Sequence, residues 1–307
     1  MYLRLPQGFK AAGDIYTRRY DDIIKDVPNK IKIVDDALLY TLTIEESFYS
    51  TWDFLTLLAK NGIVASAPKF QFCQENADFA GLTITNDGVA PSESMLESIK
   101  NFPKPTDITG ARSWFGLVNQ VSWAYSISEI MKPFRDLIKP NMKFYWDETL
   151  DHIFSESKVR IIEAVKEGVK SFEPNRKTCL QTDFSEDGRG YLLLQKHCQC
   201  ETGTTPTCCE SGWKLIFSGS KFTSPPESRY SPTEGEALAV AWSLHHSRLF
   251  TLGCPNLIVS TDHEPLLGIL NDRDLGSIEN RRLRNLKEAI SVGFPNCVQS
   301  LKMASWA

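Results

Sequence analysis

Apolar residues recur at a helical period through Ile44, Phe48, Trp52, Leu55 and Ala59, which predicts a helix over this stretch. Thr43 followed by Glu46 supplies a capping box at its front, and Gly62 closes it. Upstream, the apolar stretches Lys32-Ile33-Val34 and Ala37-Leu38-Leu39-Tyr40 flank the pair Asp35-Asp36. That pattern predicts a β hairpin with two acids at its tip, packed on the helix. Downstream, Lys69-Phe70-Gln71-Phe72 and Phe79 to Ile84 read as strands, with Asn86-Asp87-Gly88 as a turn.

After residue 91 the period turns helical. Ser92 to Phe102, Thr109 to Trp123 and Ser128 to Ile138 are three helical patterns, the first broken by Pro103-Lys104-Pro105. A further helix covers 151–172, and Pro174-Asn175 marks another boundary. From Thr178 the order is strand, strand, strand, helix, strand, with a long loop after the second strand. These breaks divide the chain into 1–90, 91–150, 151–174 and 175–307, an α+β or α/β chain with a helical middle.

Composition narrows the class. With 307 residues, 42% hydrophobic and 23% charged, the chain has the make-up of an ordinary globular protein. A net charge of −4 argues against a generally basic nucleic-acid coat. Between residues 100 and 143, however, Lys100, Lys104, Arg112, Lys132, Arg135, Lys139 and Lys143 outnumber Asp107, Glu129 and Asp136. Charge alone fits a surface laid along a phosphate backbone and a solvated helix face equally well. No apolar run approaches the roughly 18 residues of a membrane span, and Met1 to Pro6 lacks the regions of a signal peptide. The expectation is an intracellular protein, in cytoplasm or nucleus, with no membrane partner and an oligomeric state that the sequence leaves open.

Four of the eight cysteines cluster as His197-Cys198-Gln199-Cys200 and Cys208-Cys209. Thiolates and imidazole are zinc's usual ligands. The spacing matches no standard C-x₂-C framework, so loop thiols without metal are expected here and zinc is the lesser reading. Cys73, Cys179, Cys254 and Cys297 are single and read as inert thiols.

Carboxylates carry the candidate chemistry. Asp183 ends the run Thr178 to Thr182, and Asp262 ends Leu257 to Thr261. Neighbouring strands lie about 4.8 Å apart, so two strand-end carboxylates can converge on one site. A third ligand is offered by the helix between them, at Glu234 or Glu236. Ser231-Pro232-Thr233-Glu234 has a capping Ser, Pro at the first helical position and Glu three after the cap, which suits Glu234 to a structural bond back to the Ser231 amide. Glu236 lies about 200° further round the helix and is the ligand of choice. An Asp…Glu…Asp set of this kind suits Mg²⁺ or Mn²⁺ acting on phosphates. His263 reads as a turn or surface residue, and His245 and His246 are assigned no chemistry.

Read together, the motifs resemble a known family. Leu5-Pro6-Gln7-Gly8-Phe9, the helical Tyr16 to Ile24 and Val34-Asp35-Asp36 resemble the palm of a reverse transcriptase. Phe79-Ala80-Gly81-Leu82, Pro103-x-Pro105 and Trp114-Phe115-Gly116-Leu117 look like the thumb region of gypsy-like LTR retrotransposons, and Phe144-Tyr145-Trp146 fits the segment that follows. Thr182-Asp183-Phe184-Ser185-x-x-Gly188-x-Gly190, Tyr230 to Glu236 and Ser260-Thr261-Asp262-His263 resemble their ribonuclease H domain. The resemblance implies a partial palm (1–90), a helical thumb (91–150), a connection (151–174) and a ribonuclease H-like domain (175–307).

By the same resemblance, Asp183, Glu236 and Asp262 are catalytic and hold Mg²⁺ or Mn²⁺. Asp35 and Asp36 are a relic polymerase pair with Asp35 a metal ligand. Gln7, Gly8, Lys104 and Arg112 contact nucleic acid, and the partner is an RNA–DNA hybrid or duplex. The family's polymerase needs a further Asp upstream of Leu5-Pro6-Gln7-Gly8, where this chain begins. Its ribonuclease H carries a fourth carboxylate near the end, where Phe294 to Ala307 has no Asp or Glu. The expectation is therefore no polymerisation and weak hybrid cleavage, stronger with Mn²⁺. The alternatives are a non-catalytic hybrid-binding module and a degenerate remnant.

Overall fold

In the computed structural model the residues described are 8–125, 128–139, 143–200, 208–209, 212–291 and 298–300. They fall into two units, divided between Asn86 and Asp87.

In the first unit, α1 (Ala12–Ile24) precedes a hairpin of β1 (Lys30–Ile33) and β2 (Asp36–Leu39), and α2 (Ile44–Lys60) follows. The hairpin pairs Ile33 with Asp36 across a two-residue loop, with Val34 at φ 54°. A β-branched residue in that region is strained, at a cost of about 1–3 kcal/mol. α2 starts where its sequence predicts: the Thr43 hydroxyl accepts the Glu46 N–H at 3.2 Å. The Glu46 carboxylate reaches one residue past the cap, accepting from the Leu42 N–H at 3.2 Å. Burial on α2 differs from its apolar period. Phe54 and Leu58 enter the core with Tyr20 and Ile24 of α1, whereas Ile44, Phe48 and Trp52 are more than half exposed. The helix carries more apolar residues than one stripe can hold, and the small core takes the other face.

Two expected strands are also reorganised. Residues 67–69 form a single 3₁₀ turn in place of the strand at Lys69 to Phe72, because Pro68 fixes φ and removes a ladder donor. Gln71 instead bonds the Asp78 backbone through its side chain, at 2.9 and 3.1 Å. The stretch Phe79 to Ile84 is a tight hairpin, β3 (Ala77–Phe79) and β4 (Leu82–Ile84). Ala80 and Gly81 take positive φ of 53° and 81°, the twist that a two-residue hairpin loop demands.

The second unit opens with β5 (Gly88–Pro91), then α3 (Glu93–Lys100), α4 (Ile108–Asn119) and α5 (Ser128–Met131), which runs on as a 3₁₀ segment over Lys132–Ile138. α6 (Glu148–Val165) follows and leads into β6 (Val169–Lys170), a short strand that hydropathy does not announce. β6 pairs with β5 at close quarters: a Cβ on Gly88 would lie 1.9 Å from the Val169 carbonyl. Phe154, Ile161 and Val165 of α6 bury in the same core as Ile99, Trp114, Val118 and Phe134, with the Trp114 and Phe154 rings edge to face at 5.1 Å.

A five-stranded sheet completes the unit: β7 (Thr178–Phe184), β8 (Gly188–Lys196), β9 (Trp213–Phe222), β10 (Leu257–Thr261) and β11 (Val298–Ser300). Its order is β11-β10-β7-β8-β9, with β7, β8 and β9 antiparallel and β10 parallel to both β7 and β11. α7 (Pro232–His246), α8 (Arg248–Thr251), α9 (Glu264–Leu267) and α10 (Arg281–Ser291) accompany it. β7 is buried on both faces. Leu180 packs with Leu193, Ile216, Val259 and α7 residues Ala237, Val240 and Leu244, while Cys179 packs with Leu194 and Trp213 on the reverse side. Arg135 ties the helical part to this sheet, donating to the Thr223 carbonyl at 2.6 Å and stacking on Phe222. No helix among the described residues is long and apolar enough to cross a membrane.

Candidate active site

The parallel register of β7 and β10 sets the first two carboxylates. Val259 lies opposite Leu180 and Ser260 opposite Gln181, so one more step on each strand beyond Thr182 and Thr261 brings Asp183 beside Asp262. Both sit at the carboxyl ends of adjacent parallel strands, where α/β sheets present ligand sites.

Glu236 arrives from α7, and two features place it. The Ser231 cap fixes the helix start: its hydroxyl receives the Glu234 N–H, and its own N–H donates to the Glu234 carboxylate at 3.0 Å. Gly235 then lets the helix touch the sheet, since a Cβ there would fall 2.2 Å from the Phe184 ring. A carboxylate oxygen from each of Asp183, Glu236 and Asp262 lies within 4.8 Å of the other two. Gly235→Ala is expected to push α7 off β7, destabilising the protein by about 1–3 kcal/mol in chemical denaturation and spreading the three carboxylates. An unchanged denaturation midpoint would contradict the packing role given to Gly235.

Electrostatics at the cluster are unfavourable as long as only protein groups are present. Glu236 is 6% exposed, and burial, then Asp262 and Asp183, push its carboxyl up to about 8. Burial and the neighbouring Asp262 also raise Asp183. Glu236 and Asp183, both reluctant to ionise, converge with Asp262 on a site suited to a cation. Thr261 orients the set. Its hydroxyl accepts the His263 N–H at 3.3 Å and donates to Glu236 Oε2 at 3.2 Å. His263 in turn meets the Thr233 hydroxyl through Nε2 at 2.9 Å, joining the start of α7 to the segment after Asp262.

Glu234, two residues away, has the opposite character. Despite desolvation, the Ser231 amide, the Asn280 side chain, the Ser231 hydroxyl and Arg282 hold its carboxyl down at about 2. Arg282 donates to Glu234 Oε1 at 2.7 Å and lies over the Tyr230 ring at 4.0 Å. Glu234 is thus a fully engaged structural carboxylate.

The other sequence candidates lie elsewhere. Asp35 and Asp36 are exposed on the β1–β2 hairpin, and among the described residues no third carboxylate, His or Cys joins them in a close cluster. Gln7 lies outside the described residues; Gly8 is exposed at φ 84°. Arg112 is exposed on α4. Lys104 is paired with Asp151 at 2.9 Å. Lys132 and Arg135 meet Asp187, and Lys139 meets Asp136, so much of the basic excess between residues 100 and 143 is balanced by acids of the same unit. Phe294 to Cys297 and Leu301 to Ala307, in the segment expected to lack the fourth carboxylate, lie outside the described residues, and only the backbone of Val298 to Ser300 is described.

Thr261 and Gly235 are contributors that the sequence pattern did not single out. A Gly between two Glu in the first turns of a helix, where it costs about 1 kcal/mol relative to Ala, is the signal that marks a close contact.

Comparison with known proteins bears on the fold and the family. Residues 173–291 match the family described as the RNase H-like domain found in reverse transcriptase. Over 289 residues the chain is 28% identical to the retrovirus-related Pol polyprotein from transposon 297 of Drosophila melanogaster, covering 92% of this chain and 25% of the polyprotein. Over 288 residues it is 24% identical to the Pol polyprotein from transposon gypsy of the same organism, covering 89% and 26%. The chain therefore spans about a quarter of the length of these relatives. Among solved structures, the foamy viral protease-reverse transcriptase in complex with RNA/DNA hybrid superposes with a TM-score of 0.71 at 19% identity, over 97% of this chain and 39% of that one. That likeness shows the fold.

Proposed function

We propose, with residues 173–291 counted among the RNase H-like domains found in reverse transcriptase and the chain as a whole related to the Pol polyproteins of LTR retrotransposons, that this protein hydrolyses the RNA strand of an RNA–DNA hybrid. The observation that carries the reading is the convergence of Asp183, Glu236 and Asp262 at the ends of β7, α7 and β10.

The donor set is three hard carboxylate oxygens, which suits Mg²⁺ or Mn²⁺ and not a thiophilic ion. Asp183, Glu236 and Asp262 would hold the metal, and when bound it supplies an activated water and stabilises charge on the scissile phosphate. The chain's own part is positional. Asp183 and Asp262 are fixed by the β7–β10 register, and Glu236 by Gly235 packing on Phe184 and by the Thr261 hydroxyl. Burial keeps Glu236 out of bulk water and its carboxyl reluctant to ionise without a cation.

The test is a hybrid of labelled RNA with DNA, compared with single-stranded RNA and an RNA duplex. Cleavage is expected for the hybrid alone, dependent on added divalent salt and faster with Mn²⁺ than with Mg²⁺. An intact hybrid under both metals would end the reading.

The palm-like segment is given a different role. Asp35 and Asp36 stand as a polymerase-derived pair, with Asp35 on the metal side. These 307 residues on their own are expected to extend no primer on an RNA template, since the pair has no third carboxylate close by among the described residues. Template-directed incorporation that Asp35→Asn abolishes would overturn this.

A further inference from the structure

The loop between β8 and β9 brings together the sulfurs of the four cysteines whose sequence spacing fits no standard zinc framework. Sγ atoms of Cys198, Cys200, Cys208 and Cys209 lie within 4.8 Å of one another. We propose that these four cysteines bind one structural zinc ion that clips the end of the β8–β9 hairpin, separate from the carboxylate site.

Geometry supports a metal in several ways. A tetrahedral zinc with Zn–S of about 2.3 Å spaces its sulfurs at about 3.8 Å. The pair Cys198 and Cys208 is at 3.3 Å and the whole set within 4.8 Å, so small side-chain rotations reach that spacing. The backbone is already committed to the shape. β8 and β9 end on the pair Lys196 and Trp213, and the Gly212 carbonyl accepts from the His197 N–H at 2.7 Å. The Gly212 N–H donates to the Cys209 carbonyl at 3.2 Å. Glycine at 212 leaves the sulfurs their present room, since a Cβ would stand 2.3 Å from the Cys209 sulfur and 2.5 Å from the Cys198 sulfur.

Surrounding groups suit a thiolate cage. The Trp213 indole N–H donates to the Cys208 sulfur at 3.3 Å, as donors around ligating thiolates do. The Lys196 ammonium donates to the Cys200 carbonyl, which brings a positive charge to the site. Each cysteine releases its thiol proton on ligation, and four thiolates around one dication leave about two negative charges for such neighbours to offset. No oxidant or reductant takes part. The irregular spacing, two cysteines one residue apart and two adjacent, is accommodated because one pair follows β8 and the other precedes β9, and the ends of these strands are held together.

The test is the metal content of the full chain, purified without chelator, with its thiols mapped by alkylation and mass spectrometry. About one zinc per chain is expected, with the four cysteines protected from alkylation. Cys198→Ser and Cys208→Ser should each lose it. Asp183→Asn, which disarms the carboxylate cluster, and Cys254→Ser should each keep it. Should the cysteine variants fail to fold, titration of the native protein with an organomercurial must release zinc in step with modification of these four thiols. Replacement with Co²⁺ should give the thiolate charge-transfer band and ligand-field bands of a tetrahedral site. Zinc that disappears in Asp183→Asn, or a folded protein free of zinc after reconstitution, whether with free thiols or a Cys198–Cys208 disulfide, overturns the proposal.

Discussion

Asp183→Asn, Asp262→Asn and Glu236→Gln are each expected to reduce hybrid cleavage by about 100-fold or more, with Glu234→Gln staying within a few-fold of the parent. The floor comes from groups one step removed from a metal, whose loss alone costs about 10–100-fold. A carboxylate that holds the ion should cost at least as much. Two glutamates in one helical turn give the comparison its force. Glu236 faces Asp183 and Asp262, and Glu234 faces Ser231, Asn280 and Arg282. Removing the Glu234 charge weakens the cap by about 1 kcal/mol. It also loosens the pair with a half-exposed Arg282, a contribution of about 0–1 kcal/mol at such exposure. Neither change reaches the phosphate. Single-turnover cleavage with circular dichroism on each variant would separate chemistry from folding, and equal losses at the two glutamates would sink the division of labour.

The legible parts of this molecule are those whose structure is decided by neighbours in sequence. The Thr43 and Ser231 caps, the breaks at Pro103 and Pro105 and the strand-end positions of Asp183 and Asp262 follow from local rules, and the structure contains them. Glu234 and Glu236 differ already in the sequence, because a capping box uses up one of them. The features that escaped depend on contacts across the fold. Ala80-Gly81 turned an apparent strand into a hairpin because the loop's φ values outweigh a continuous apolar run. The Phe48 and Trp52 stripe of α2 has a helical period, but period alone does not say which face a small core will take. Gly235 and Thr261 act through Phe184 and Glu236, residues brought near only by the packing of α7 on the sheet. The four clustered cysteines show the same limit: their irregular spacing argues against a metal, whereas the closed β8–β9 hairpin brings the four sulfurs within reach of one another.

Stability against pH should carry the signature of the same cluster. Without added Mg²⁺ or Mn²⁺, the protein is expected to lose stability as pH rises from about 5 to 8, and Glu236→Gln should remove most of that slope. An unfolded Glu titrates near 4.5, whereas the folded Glu236 is pushed to about 8. Below 4.5 the group is protonated in both states and costs nothing. Between the two values the unfolded chain gives up a proton that the folded chain keeps, so stability falls with pH, and above 8 the whole cost of ionising a buried carboxyl beside Asp262 and Asp183 is present. Glu234 leaves this window untouched. Its carboxyl is held at about 2, so the stability it contributes is present above 4.5 and is lost only as pH falls towards 2. Each pKa unit corresponds to about 1.4 kcal/mol. Allowing for relaxation around a partly hydrated cluster, Glu236→Gln should be the more stable protein at pH 8 by roughly 1–3 kcal/mol, and about equal to the parent at pH 5. Mg²⁺ should stabilise the parent at pH 8 and do little for the variant, because the ion and the lost proton answer the same repulsion. Urea midpoints at pH 5 and 8, with and without Mg²⁺, decide it. A variant less stable than its parent at pH 8 would mean that Glu236 supports the fold and is not held there at its expense.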